Sequence, residues 1–389
     1  MSKLKIGLAL SGGGSRAIAF HLGCLRALHD RGVLEKVELL SGVSGGSVIA
    51  ALYAYSDDPF AEFDKRVEKV LRRGMVWGIA REIFLSRETP RILAAVLTSG
   101  FFAIFGTLIW LIVSSLGLFG IGGSALSSVA NAVLAPVPRF ASRTTAFENH
   151  LRRRYFSNQL MDEVRRPGLN VVINAAELRT ETAFRFGSCE SGCWRYGQLV
   201  DTPAVAMAVA ASAAFPAALP ALDQTMTFTR NGVEAQHRVL ITDGGVYDNL
   251  GVFCMEPGRP TEFTSNGFLV DFIIACDAGQ GTPSGGGKSY FWPSRMLATI
   301  HTIHRRTQTL TLNQLHRWAG NGDIAGFLLP YLGQIDGRLP YRPADLVRRE
   351  DTFSYPTNFS SMTSANLALL SRRGEQLTNL LIDAYAPHL

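Results

Sequence analysis

The residues best placed to do chemistry form a short block, Gly42-Val43-Ser44-Gly45-Gly46, which fits the pattern G-x-S-x-G. Flanking glycines let a chain turn sharply between a strand and a helix and push the serine hydroxyl outward. The helix that follows aims its free N–H groups and positive dipole end at the same spot, which favours a nucleophile and an oxyanion there. Upstream, Ser11-Gly12-Gly13-Gly14-Ser15-Arg16 closes one apolar run and opens a helical one. A glycine run in that setting turns consecutive backbone N–H groups toward an anion, either a nucleotide phosphate or the oxyanion of ester hydrolysis. A dinucleotide site wants a fuller glycine fingerprint, and Ala17 stands where its last glycine would be; the P-loop lysine is also missing. An oxyanion hole fits the loop better.

Ester attack by Ser44 requires a base. The eight histidines are His21, His29, His150, His237, His301, His304, His316 and His388. None lies in an evident strand-end loop, and each reads as a structural histidine with satisfied ring nitrogens. Asp243 differs, because it ends the apolar run 239–242 and precedes Gly244-Gly245. Strand ends in parallel sheets are where ligands and catalytic groups gather, and a carboxylate in reach of a hydroxyl can take its proton directly. A turn aspartate ahead of two glycines is the competing reading, and the residues alone leave both open.

These groups need elements to hold them. Residues 6–10 read as a buried strand. Residues 17–30 read as a helix with Ile18, Leu22, Leu25 and Leu28 on one face, and 37–40 as a second strand leading into a helix over 47–55. Strand, turn, helix, repeated, argues for a parallel sheet with helices on both faces. Further strands are expected at 169–175, 182–186, 239–242 and 268–276, and helices at 64–91, 205–214, 294–318 and 364–385. The five cysteines (24, 189, 193, 254 and 276) read as reduced, mostly buried thiols of a cytosolic protein. Cys189 and Cys193 are close in sequence but lack a second ligand pair, so no metal site is assigned to them.

Together and in this order, Gly12–Arg16, Gly42–Gly46 and Asp243–Gly245 resemble the patatin-like phospholipase family, as do Ala211-Ser212-Ala213-Ala214-Phe215-Pro216 and Val246-Tyr247-Asp248-Asn249-Leu250-Gly251. The resemblance covers about residues 5–277, with a hydrophobic insertion; Ala17 departs from the glycine many members carry. It implies an α/β fold: a patatin-like three-layer sandwich with a mostly parallel central sheet and helices on both faces. It also implies a Ser–Asp dyad without histidine, in which Ser44 forms an acyl-enzyme and Asp243 takes its proton and later activates water. Gly12, Gly13, Gly14 and Ser15 would form the oxyanion hole, with Arg16 steadying that loop. Gly42, Gly45 and Gly46 would shape the nucleophile elbow, and Gly244 and Gly245 the loop after the base. No metal or organic cofactor is implied, and the substrates would be phospholipids, lysophospholipids or acylglycerols.

The whole chain bounds these readings. Its 389 residues are 47% hydrophobic and 18% charged, less charge than usual, which suits a large core or an apolar surface that meets lipid. A net charge of +6 suits anionic partners. Nothing beyond charge supports a nucleic-acid partner, because no aromatic-and-basic motif is present. Residues 92–138 carry no charge and lie between Ser44 and Asp243. If those two share a site, a single membrane span between them is impossible. A hairpin dipping into the bilayer and a soluble cap over the acyl pocket both satisfy that constraint. Basic flanks, Arg72, Arg73, Arg81, Arg87 and Arg91 before it and Arg139, Arg143 and Arg152–Arg154 after it, suit two cytoplasmic ends. The expectation is a catalytic domain over 1–280 with this insertion, a mainly helical extension over 281–389, no signal peptide, and action at the cytoplasmic face of a membrane. A catalytically silent membrane scaffold is the alternative.

Overall fold

The computed structural model describes residues 4–85, 142–216, 219–259, 266–281 and 291–389, together with scattered positions between 90 and 115. The hairpin or cap expected over 92–138 lies outside the described residues. The exceptions include Leu97, Phe101, Ile104, Phe105, Leu108 and Ile112, which are helical with exposed side chains. Among the described residues, no helix is long and apolar enough to cross a membrane.

With strands numbered along the chain, β1 (Ile6–Leu10) lies between β2 (Val37–Val43) and β9 (Phe272–Cys276), parallel to both. Flanked on both sides, its five residues IGLAL are all buried, which is why it reads as an unbroken apolar run. β10 (Gly326–Leu328) extends β9, and β3 (Asn170–Glu177) extends β2, all parallel. Side chains alternate across this half. Ile6, Leu8 and Leu10 join one core with α1 (Gly14–Asp30), α2 (Gly45–Ala54) and α3 (Phe60–Arg73). Ala9, Leu39, Val172, Ile273 and Ala275 face a second core containing Leu315 and Trp318. Further helices among the described residues are α4 (Val76–Leu85), α5 (Arg143–Leu151), α6 (Val205–Ser212) and α7 (Trp292–Asn321), the last carrying Leu315 and Trp318. The final helix, α8 (Ser364–Tyr385), packs on α1 at two glycines. A methyl on Gly23 would meet the Ser371 carbonyl oxygen at 1.7 Å, and one on Gly374 the Phe20 carbonyl oxygen at 2.2 Å, so the two backbones touch only because neither residue has a side chain.

The expectation of a mostly parallel sheet in a three-layer sandwich fails at β3. From there the pairing is antiparallel: β3 with β4 (Thr182–Gly187), then β5 (Ser191–Cys193), β6 (Gly197–Leu199), β7 (Leu222–Arg230) and β8 (Val233–Asp243). β8 then pairs antiparallel with β3, closing a six-stranded barrel. The reason is connection length. A parallel partner needs a crossover of a dozen or more residues, whereas most of these strands are joined by tight turns that allow only hairpins. Phe184, Phe186 and Phe228 are buried against one another in this half, with ring centroids 4.8 and 6.3 Å apart.

Closure at β3 has a direct consequence for the candidate site. Val43, the last residue of β2, aligns with Asn174, and Asp243, the last of β8, aligns with Ala175. β2 and β8 run in opposite directions and meet head to head along one side of β3. Ser44, the next residue after Val43, therefore emerges beside Asp243.

Candidate active site

Ser44 sits at φ 51°, ψ −116°, between β2 and α2. A positive φ is uncommon for any side chain other than glycine, and holding it costs on the order of 1–3 kcal/mol. The surroundings enforce it. A Cβ on Gly45 would lie 2.3 Å from the Gly14 carbonyl oxygen, and one on Gly46 2.1 Å from that of Leu10, so the elbow is pressed against the upstream glycine loop. Polar groups beneath pin the backbone. The Ser44 N–H donates to Ser212 Oγ at 3.0 Å, Ser212 donates to the Asn174 carbonyl at 2.6 Å, and Asn174 Nδ2 donates to Ser41 Oγ and the Gly42 carbonyl.

Asp243 is 4% exposed. Its Oδ1 accepts from the Gly245 N–H at 2.7 Å, while Oδ2 is buried without a hydrogen-bond partner among the described residues. The Ser44 hydroxyl stands near enough to favour the ionised carboxylate, though no closed hydrogen bond forms between them. Burial dominates and pushes the carboxyl up to about 6, against the pull of Ser44 and the Gly245 N–H. A base poised near neutral pH combines a deprotonated state with real proton affinity.

The glycine loop borders the same space: a Cβ on Gly12 would lie 3.3 Å from Ser44 Cβ. Of its N–H groups, that of Gly12 donates to the Asn249 carbonyl at 3.1 Å and that of Ser15 to the Asn358 carbonyl at 2.6 Å. Those of Gly13 (φ 145°) and Gly14 (φ 59°) have no such backbone partner among the described residues. Arg16 is buried behind the loop. Its Nε donates to the Ala278 carbonyl at 2.9 Å and its Nη1 to the Tyr355 carbonyl and Thr357 Oγ1. Burial lowers this guanidinium to about 10, opposed by Asp277, so it keeps its charge at neutral pH. The segment Tyr355–Ser360 thus clamps the loop, a part of the site that sequence reasoning did not assign.

Two further neighbours were missed. Asn249 Oδ1 would lie 2.5 Å from a Cβ on Gly12 and 2.8 Å from one on Gly245, so this amide sits between the two loops. His304, on α7, puts its Nε2 3.4 Å from the same point on Gly245 and brings α7 to the edge of the site. Asn249 lay within a quoted motif, whereas nothing local marks His304 or Asn358.

Because Arg16 acts through the loop, Arg16→Lys is expected to lower turnover about tenfold or more with little change in KM, since a lysine cannot reproduce a forked set of donors. Steady-state kinetics on a soluble ester checks this, and a change confined to KM would contradict the positioning role.

A serine elbow abuts a glycine loop and a buried carboxylate, on an α/β sheet with a closed antiparallel half. A patatin-like phospholipase profile matches residues 8–253, and the chain belongs to the patatin-like phospholipase family. Two fungal proteins resemble part of it: "Lysophospholipase NTE1" of Mycosarcoma maydis, 35% identical over 80 residues, and "Lysophospholipase nte1" of Aspergillus fumigatus, 37% over 78 residues. These stretches are 21% and 20% of this chain but only 4% and 5% of the relatives. Human GIVD cytosolic phospholipase A2 shares the fold, with a TM-score of 0.53 and 13% identity, covering 97% of this chain and 61% of that one.

Proposed function

We propose that this chain is a lipolytic serine hydrolase that cleaves carboxylic esters of phospholipids, lysophospholipids or acylglycerols at a membrane surface, using Ser44 and Asp243. The observation that supports it most is the meeting of a strained serine and a buried, partly unsatisfied carboxylate beside two backbone N–H groups. Asp243 takes the hydroxyl proton as Ser44 Oγ adds to the ester carbonyl. The N–H groups of Gly13 and Gly14 stabilise the oxyanion. Asp243 returns the proton to the leaving alkoxide, giving an acyl-enzyme, then takes a proton from water so that hydroxide adds to the acyl carbon, and gives that proton back to Ser44 Oγ as the acid leaves. Residues 1–280 would form the catalytic unit, and 281–389 an extension that completes it through Asn358. Family membership and the lysophospholipase relatives favour lipid esters as substrates.

The membrane reading draws on α7. Met296, Ile303 and Leu310 are exposed at seven-residue spacing, one face of a helix, and Ile303 adjoins His304 at the edge of the site. The exposed positions Leu97, Phe101, Ile104, Leu108 and Ile112 share a face by the same periodicity. Apolar faces of this kind suit a lipid interface. Ile303→Asp is expected to weaken flotation of the full chain with phospholipid vesicles by about tenfold. Hydrolysis of vesicle lipid should fall far more than that of a soluble ester. Equal losses on both substrates would remove α7 from a membrane role.

The activity itself is tested with p-nitrophenyl butyrate and lysophosphatidylcholine. Acid release by the purified chain supports the hydrolase; none from either substrate, in the presence of detergent micelles, favours the silent scaffold.

A further inference from the structure

At the root of the glycine loop, beside Ser11, three metal-ligating side chains converge. The side-chain donor atoms of His21, Cys24 and Cys276 lie within 4.8 Å of one another, and all three residues are fully buried. His21 and Cys24 are one turn apart on α1, and Cys276 ends β9, so the sheet and the helix packed on it bring the donors together. His21 departs from the reading of a satisfied structural histidine. Its Nε2 lies 2.9 Å from the Ser11 carbonyl, which can only accept, so Nε2 carries the proton. In a neutral ring Nδ1 then holds a lone pair, and among the described residues this buried atom closes no geometric hydrogen bond, with the Cys24 thiol as its nearby neighbour. A ring nitrogen fixed by a backbone carbonyl on its far side is the usual arrangement of a metal-bound imidazole.

We propose that His21, Cys24 and Cys276 form a binding site for a soft divalent ion of the zinc class. Two thiolates and one neutral imidazole balance the ion's charge, which a fully buried site requires, and leave one place for a small ligand. On binding, each thiol gives its proton to solvent as the sulfur–metal bond forms, with no change of oxidation state. The ion would tie α1 to the end of β9 at Ser11. That residue accepts from His21, donates its N–H to the Cys276 carbonyl at 3.1 Å, and accepts from the Ala278 N–H through Oγ at 2.8 Å. Gly12 follows directly, so the ion would stiffen the root of the glycine loop. Cys189, the exposed cysteine, lies outside the cluster and serves as the control.

The test uses the full chain produced in zinc- or cobalt-supplemented cells and kept reduced. Elemental analysis should find about one zinc per chain, and the cobalt form should show thiolate-to-cobalt charge-transfer absorption in the near ultraviolet. Cys276→Ser and Cys24→Ala should lose both signals, and Cys189→Ser should keep them. A wild-type chain that carries no metal and shows no charge-transfer band overturns the proposal, even if the variants fail to fold. Undiminished signals in a folded Cys24→Ala, Cys276→Ser double variant overturn it as well. These readouts do not depend on ester hydrolysis, so this site and the Ser44 reading can fail separately.

Discussion

Ser44→Ala is expected to reduce ester turnover by ~10³-fold or more, because in the proposed mechanism it removes the oxygen that forms the acyl bond. The loss should come without unfolding. Among the described residues the Ser44 hydroxyl faces Asp243, while its backbone is held at φ 51°. Ser44→Gly should therefore be as inactive as Ser44→Ala and more stable than wild type, since glycine reaches that conformation at little cost. Relief of on the order of 1–3 kcal/mol of strain would raise Tm by several degrees. Calorimetry beside a p-nitrophenyl ester assay checks both halves. A Ser44→Gly chain that melts below wild type would show that the elbow is not strained.

Asp243→Asn should have a comparable effect on rate and, like Ser44→Gly, should raise stability. An amide cannot accept the serine proton, so turnover should drop by ~10³-fold. With the ionised carboxylate as the proposed base, kcat/KM of the wild type should rise with pH through about 6 and level off above it. A carboxyl raised from its ordinary 3.8 to about 6 binds its proton more tightly folded than unfolded. Its contribution is fully present below about pH 3.8 and is lost as pH rises through about 6. At pH 8 the buried carboxylate costs the fold on the order of 3 kcal/mol. Asparagine avoids that cost and can still accept from the Gly245 N–H, so the variant should melt above wild type at pH 8, with the gap closing in acid. Melting curves at the two pH values read this out, and a variant less stable than wild type at pH 8 would contradict it.

What was legible in the sequence was local. β1, β2, α1 and α2 could be read because each is an apolar run or a helical stripe broken by glycine, and the Ser44 turn lies between two of them. The closed antiparallel half was not read. One signal was available: Asn231-Gly232, with φ 52° and 76°, is a two-residue hairpin turn that pairs all of β7 with residues 233–241 of β8. The other signals are weak, because β5 and β6 are three residues each, and the meeting of β2 and β8 along β3 depends on pairings between residues far apart in sequence. The clamp at Tyr355–Ser360 was out of reach for a different reason. It works mainly through the carbonyls of Tyr355, Asn358 and Ser360, and a backbone carbonyl leaves no mark in a sequence.

The most direct test of the account is covalent capture of the nucleophile. The full chain would be treated with an alkyl fluorophosphonate and its peptides mapped by mass spectrometry. The geometry predicts one phosphonyl adduct on Ser44, formed in step with loss of activity and slowed in Asp243→Asn. An adduct on another serine, or complete inactivation with Ser44 unmodified, would contradict it.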